Sequence, residues 1–556
     1  MSGPIRGADI VARSLSRLGG RQVFTLSGNH IMSIFDAALE TNLDLVHVRH
    51  EAAAVHMADA RGRLTGDAGI ALVTGGPGHA NAVGALFTAL GAESPMVLLS
   101  GHAATWELGR GGFQEIRQAD MAAPVTKASW TATSAATLGH DLGKAIRIAT
   151  SGRPGPVHLS LPSDLLEERV ESNAVVWPNT QRTGATVQAL AEPIADAILK
   201  AVARAERPVI LAGPQLSSVS GRKLINRLEV ATKAPVVIME SPRGIADATL
   251  GAFPDLVRRV DLIVLLGKAL DFTTKWASGP TFDPGVRLIA IDPEEALVER
   301  AANEKGDRLL MGCIADVRSA AETLIVRAAL VGTRQGDWLV EARAALDHRP
   351  DAWATVAAGT AGRLHPAEVF RALRPHVERN ADAVLVCDGG EFAQWGQSML
   401  PVHRRLVNGV AGAIGSSLSF ALSARLLEPE APVFAVLGDG TIGFHICEFE
   451  TAMRRRLPFV AVLGNDACWN AESQIQLREY GRERMHGCEL LGARYDQVVS
   501  ALGGHGEFVQ NAADLPGAIE RSLASGKPAC INIMVESIAA PLVRPSAVFG
   551  PVESRP

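Results

Sequence analysis

VFAVLGDGTIGFHICEFETAMRRRLPFVAVLGNDACWN, residues 433 to 470, decides the fold. Two apolar runs, VFAVLG and FVAVLG, each end in a glycine followed by a polar corner. Between them Ile442, Ile446, Phe449, Met453 and Leu457 recur at spacings of 4, 3, 4 and 4, which predicts one helix with a single buried face. Leu457-Pro458 ends it. A strand–helix–strand crossover is right-handed and returns its second strand parallel to the first. Both strands then end at one edge of a sheet. Asp439 and Asp466, 466 − 439 = 27 residues apart, are expected side by side there. In open α/β sheets that edge is where ligands bind.

The same strand, Gly-containing turn and helix recur outward from this stretch. In the first third VFTLSG (23–28), LDLVHVRH (43–50), GIALVTGGPG (69–78) and PMVLLSG (95–101) read as strands, and GPVHLSLP (155–162) as the last of the set. The middle third has RPVILAGP (207–214), APVVIME (234–240), LIVLLGKALDF (262–272) and VRLIAIDPEE (286–295). The last third adds AVLVCDGG (383–390), NGVAGAIGSSLSFALSARL (408–426) and PACINIMVES (528–537). Polar stretches near 170–190 and 331–362 read as linkers. The expectation is α/β: three doubly wound domains with mostly parallel sheets, at 1–175, 190–335 and 360–545. A length of 556 residues fits three cores of roughly 150 residues each. No residue-level repeat is visible.

Composition narrows the class. The chain is 47% hydrophobic and 20% charged with net charge −5, ordinary for a soluble enzyme. The densest basic run, RRR at 454–456, reads as a solvated helix end, so no nucleic-acid partner is expected. Six scattered cysteines without a CxxC pair suit a reducing cytoplasm. MSGPIRGADIVARSLSRLGG reads as a short amphipathic helix without the apolar core of a signal peptide. No apolar run approaches the roughly 20 residues that span a bilayer.

Two close carboxylates repel unless a cation sits between them or one is protonated. A hard divalent cation takes few protein oxygens and completes its shell from waters and phosphate. Gly440 and Gly443 would let backbone approach that phosphate at the start of the helix, where free N–H groups favour an anion. The local expectation is a Mg2+–diphosphate site built on Gly438, Asp439, Gly440 and Asp466. The plainer alternative is that each aspartate only ends its strand.

Several motifs, in order, resemble those of the thiamine-diphosphate enzymes of the acetolactate synthase-like superfamily: HEAAAVHMADARGRLTG (50–66), TGGPGHAN (74–81), GGFQE (111–115), DGG (388–390), NGVAGAIG (408–415) and the GDG–ND corner. The resemblance spans nearly the whole chain. It implies the thiamine-diphosphate-binding fold, in the order pyrimidine-binding, middle and diphosphate-binding domain. It implies thiamine diphosphate and Mg2+ as cofactors, bound between the N-terminal domain of one subunit and the C-terminal domain of another. A homodimer is then the minimal active unit and a homotetramer the family expectation.

It also assigns roles. Glu51 would hydrogen-bond the pyrimidine ring nitrogen and shift its tautomer, aided by burial that raises a carboxyl pKa. Asn81, Gly389 and Gly390 would belong to the cofactor loops. The Gly412 carbonyl would receive the amino group and Ile414 would prop the bent cofactor. Asp439, Asp466 and the backbone carbonyl of Cys468 would ligate the metal; the family commonly has Asn-Asn where this chain has Asn465-Asp466. The thiazolium would act as electron sink through an enamine.

SGNHIMSIF (27–35) bears on the substrate. Asn29-His30 is similar to benzaldehyde lyase, as are MAAPVTKASW (121–130) and CEFETAM (447–453). His30 would relay a proton, Gln114 would orient a water or substrate oxygen, and Asn29, Trp469 and Asn470 would line the substrate pocket. LGKALDF and IDPEE resemble oxalyl-CoA decarboxylase and 2-hydroxyacyl-CoA lyase, whose middle domain binds an adenine nucleotide; Asp292 could hold a ribose there, but a nucleotide fold with nothing bound is the favoured reading, and neither an adenine nucleotide nor FAD is expected. The expected function is a C–C lyase or carboligase for 2-keto acids or 2-hydroxy ketones. A CoA-thioester enzyme and an inactive cofactor-binding partner protein are the alternatives.

Overall fold

The computed structural model describes residues 3–179, 187–332 and 336–543. The expected crossover is present: Val433–Gly438 and Val460–Asn465 are adjacent parallel strands, with Gly438 paired to Gly464. They belong to a six-stranded parallel sheet whose spatial order is Arg404–Val407, Val384–Cys387, Val433–Gly438, Val460–Asn465, Ala529–Met534, His505–Val509. Numbered by chain position within the sheet, that order is 2-1-3-4-6-5.

The N-terminal sheet has the same six-stranded parallel order: Asp44–His47, Gln22–Thr25, Gly69–Val73, Met96–His102, Pro156–Pro162, Ala128–Thr131. So two sheets repeat one topology with no repeat of residues. A five-stranded parallel sheet lies between them in the chain, ordered Val236–Ile238, Pro208–Ala212, Leu262–Leu266, Arg287–Asp292, Leu309–Ile314. Its strands read as continuous apolar runs because both faces are covered: Ile210, Val264 and Ile289 face one core, Val209, Ile263 and Leu288 the other.

The chain forms two compact units. One comprises Met1–Val187, Leu418–Pro429 and Cys447–Arg455; the other comprises Gln188–Ser417, Glu430–Ile446 and Arg456–Pro556.

Four local expectations are corrected. The predicted single helix after Gly438 is two, Asp439–His445 and Glu448–Arg455. The second buries Glu448, whose carboxylate accepts from the Arg49 N–H at 2.8 Å and the Thr451 hydroxyl at 2.7 Å. A pattern of apolar positions cannot register a face organised around a buried carboxylate. Ala128–Thr131, Leu309–Ile314, Arg404–Val407 and His505–Val509 are edge strands that the sequence reading left out. The stretch read as a linker from 170 begins inside the first core, with Val170 and Val175 buried in it, while 180–186 lie outside the described residues. The second linker holds a helix, Trp338–Asp347, whose Trp338, Ala342 and Ala345 pack into the middle core.

Between the middle and C-terminal sheets of the second unit sits a buried ion cluster. Glu240 accepts from Arg222 at 2.9 Å and from Arg405 Nε at 2.6 Å. Burial pushes the Glu240 carboxyl up, but the charges of both arginines and their hydrogen bonds outweigh it and hold the pKa at about 2. Among the described residues no helix is long and apolar enough to cross a membrane.

Candidate functional site

In the second unit a cleft opens at the carboxyl edge of the C-terminal sheet. Of the predicted residues, Gly389, Gly390, Ile414, Gly438, Asp439, Gly440, Asp466, Cys468, Trp469 and Asn470 all line it. The cause is the parallel register: strands that end level deliver their corners to one place. Gly412 is not in the lining; it sits exposed in the same loop with φ +70°, a left-handed turn that suits glycine. Gly443 is also outside the cleft, exposed with open space around it, so it does not give backbone access there.

Asp439 is buried, and among the described residues its Oδ2 has no hydrogen-bond partner. Burial raises its pKa to about 6. Half-buried Asp466 is raised to about 7, by burial first and the neighbouring Asp439 charge second. Two carboxyls in this relation share a proton or take a cation. Among the described residues no group of three or more His, Cys, Asp and Glu side chains could hold a metal. A site with two carboxylates must draw its other oxygens from backbone, diphosphate and water, and the Asp439–Asp466 pair fits a hard divalent cation on those terms.

Two lining residues act differently from expectation. Gly440 makes room for a side chain: a Cβ there would lie 2.6 Å from the Trp469 ring. Both ends of the Asn470 amide are engaged, Nδ2 with the Ile538 carbonyl at 2.9 Å and Oδ1 with the Ser537 hydroxyl at 3.0 Å. Asn470 therefore anchors the segment 537–538. The remaining tail, 544–556, lies outside the described residues.

The first unit gathers the other candidates. Glu51 is buried at the first position of helix Glu51–Thr65, where His50 caps the chain by accepting from the Ala52 N–H at 3.1 Å. Asn81 donates to Glu51 Oε2 at 3.0 Å. Gly78 brings the Gly-rich loop close; a Cβ there would be 3.4 Å from Glu51 Oε1. His30 is buried, with Nδ1 3.2 Å from the Thr74 hydroxyl and its ring stacked 5.9 Å from Phe113. Burial lowers its pKa, so it is neutral at pH 7. Gln114 holds φ +57°, and its carbonyl would be 2.4 Å from a Cβ on Gly76. Asn29 is exposed beside His30.

Sequence reasoning missed four residues. Gln118, fully buried, accepts from the Gly76 N–H at 2.9 Å and donates to the Gly101 carbonyl at 3.1 Å and the Ser160 hydroxyl at 2.9 Å, fixing the Gly-rich loop. His102 is buried at the end of its strand, next to Gly101, against which His30 packs. Glu391 lines the cleft and pairs with Arg243 at 2.9 Å and with the Ala540 N–H. Asp388 holds two cleft loops together. Only Asp388 stood in a quoted motif; the others act through partners distant in sequence. In the middle sheet, Asp292 Oδ1 accepts from the Glu294 N–H at 3.0 Å, and the hollow it lines has room for little more than one water.

Comparison with known proteins gives the site its context. Residues 5–121 match the thiamine pyrophosphate enzyme N-terminal TPP binding domain, and 388–533 the C-terminal TPP binding domain. The chain is 32% identical over 547 residues to a probable acetolactate synthase of Mycobacterium bovis, covering 96% of each. It is 29% identical to 2-hydroxyacyl-CoA lyase 2 of Caenorhabditis elegans, covering 95% of this chain and 89% of that one, and 28% identical to the human protein of the same name, covering 95% and 90%. Two binding domains, in order and at this coverage, place the chain in the thiamine pyrophosphate enzyme family, as a thiamine-diphosphate-dependent enzyme of the acetolactate synthase-like superfamily.

Proposed function

We propose that this enzyme is a C–C bond lyase or carboligase, dependent on Mg2+ as well as thiamine diphosphate, acting on 2-keto acids or on 2-hydroxy ketones and their aldehydes. The observation that carries the reading is the cleft that joins Asp439, whose buried Oδ2 has no hydrogen-bond partner among the described residues, to Asp466 and to the glycines of two loop corners, 389–390 and 438–440. Asp439, Asp466 and the Cys468 carbonyl hold Mg2+. Gly390 and Gly438 leave room for the diphosphate, while Gly389 and Gly440 give their space to Ile414 and to the Trp469 ring. The Gly412 carbonyl accepts the amino group, and Ile414 supplies the apolar prop.

Bound thiamine diphosphate supplies a nucleophilic carbon and an electron sink. Glu51 holds a proton at the pyrimidine ring nitrogen, and Asn81 fixes the carboxylate that does so. His30, neutral and in hydrogen-bond reach of Thr74, moves a proton at the substrate oxygen, which Gln114 orients. Asn29 and Trp469 border the substrate. Each sheet with its helices is one domain, and the catalytic centre forms from two subunits, so a dimer is the smallest active species and a tetramer the resting one. The cytoplasm is the proposed compartment.

The relatives named 2-hydroxyacyl-CoA lyase 2 favour a second reading, an acyl-CoA substrate. A proton NMR time course of the loaded protein separates them. Loss of pyruvate, or cleavage of benzoin to benzaldehyde, supports the first reading. Silence with both, and cleavage of a 2-hydroxyacyl-CoA, supports the second.

A further inference from the structure

Two loops flank the diphosphate cleft, Asp388–Gly390 and Asn408–Ser417, and one side chain joins them. Asp388 follows the strand Val384–Cys387, and its own N–H continues the ladder to the Val436 carbonyl at 2.9 Å. Its side chain is fully buried. Oδ1 accepts from the Gly389 N–H at 2.8 Å and from the Gly415 N–H at 2.9 Å. Oδ2 accepts from the Ser417 N–H at 3.1 Å. Hydrogen bonds to an ionised acceptor are the stronger kind, and three of them on one rigid carboxylate fix both loops.

The loops meet tightly. A Cβ on Gly389 would lie 2.5 Å from Ile414 Cγ2 and 3.0 Å from Asn408 Nδ2. Gly415 has φ +92°, and a Cβ there would lie 2.6 Å from the Phe444 ring. A shift of either loop therefore moves Ile414, which borders the cleft. The N–H groups of Gly389, Gly415 and Ser417 are already spent on Asp388, so this corner serves a ligand by its shape.

We infer that Asp388 is a positioning residue for the cofactor: its carboxylate locks the two loops in the binding-competent arrangement before the ligand arrives and so sets the place of Ile414. This rests on the proposed cofactor cleft. A buried carboxyl without a cationic hydrogen-bond partner among its contacts costs stability, and burial raises its pKa. Such costs concentrate at functional sites. Preorganisation is where the return lies, because a loop ordered in advance does not charge its entropy to binding.

The test uses full-length protein stripped of metal, with thiamine diphosphate titrated by tryptophan fluorescence at saturating Mg2+ and the melting temperature of the stripped protein measured alongside. Asp388→Asn keeps the volume but turns an amide N–H toward the Ser417 N–H. Gly389→Ala leaves Asp388 in place and displaces Ile414 directly. Both variants are expected to bind thiamine diphosphate at least about tenfold more weakly than the parent, with Gly389→Ala melting within a few degrees of it. Binding within twofold of the parent by Asp388→Asn overturns the inference, whatever Gly389→Ala does. So does a fall in melting temperature with unchanged affinity, which would make Asp388 a brace of the fold alone. If Asp388→Asn does not fold, Gly389→Ala decides the matter. Failure of the parent itself to bind contradicts the cofactor cleft, and this inference falls with it.

Discussion

Asn81 donates its side-chain amide to Oε2 of Glu51 at 3.0 Å, so the helix after the Gly-rich loop holds the carboxylate that begins the preceding helix. Glu51→Gln is expected to reduce turnover by about 10²–10⁴-fold, the span of a general acid–base group, while thiamine diphosphate affinity stays near the parent's. Asn81→Ala should lower kcat by roughly tenfold, since the carboxylate stays but loses the donor that orients it. Steady-state kinetics with a cofactor titration checks both. Normal turnover by Glu51→Gln would rule out its proton role.

The two aspartates should differ in weight. Asp439 is the more buried, and its orphaned oxygen has no substitute. Asp439→Ala is expected to weaken Mg2+-dependent cofactor binding by about 100-fold or more. Asp466→Asn retains a hard oxygen and should cost tenfold or less, on the order of 1.4 kcal/mol. Equal effects would show that the pair does not share a cation in the way proposed.

Glu240 should be worth more to stability than to catalysis. Glu240→Ala leaves Arg222 and Arg405 buried without their carboxylate, a loss of about 3–5 kcal/mol. Chemical denaturation with a cofactor titration checks this; a change below about 1 kcal/mol would mean that water reaches the arginines.

Stability should fall on mild acidification. Burial holds His56 at about 3 and His79 at about 4, against 6.5 when unfolded. The folded chain keeps both neutral while the unfolded chain protonates them, so stability is complete above about pH 6.5 and is lost as pH drops toward those lower values. Each contributes about 1.4 kcal/mol per pH unit in that window, and the measurement is made with Mg2+ present, because in free Asp439 and Asp466 the raised carboxyl pKa values give a slope of the opposite sign. Denaturation midpoints at pH 7.5, 6.0 and 5.0 measure the slope, and His56→Phe should reduce it by about one proton. A slope unchanged in that variant would assign the pH dependence to other groups.

Much of this architecture is legible in the chain itself. Parallel strands buried on both faces leave unbroken apolar runs, so VFAVLG, FVAVLG and LIVLL are visible as strands and their level ends bring Asp439 to Asp466. The edge strand Ala128–Thr131 escapes because its residues are only half-buried and mixed in polarity. The split of the helix after Gly438 escapes because Glu448 is satisfied by Arg49, from the far end of the sequence. Gln118 and His102 escape for a related reason. A polar residue whose partners are supplied by other strands has no local pattern, and only the folded geometry reveals what it holds.

The most direct measurement is isothermal titration of the chelator-treated protein with thiamine diphosphate, with and without Mg2+. The two-aspartate cleft predicts saturable binding in Mg2+ and loss of that binding, by about 100-fold or more, when the metal is withheld. Full-affinity binding in chelator, or no binding with Mg2+ present, would contradict it.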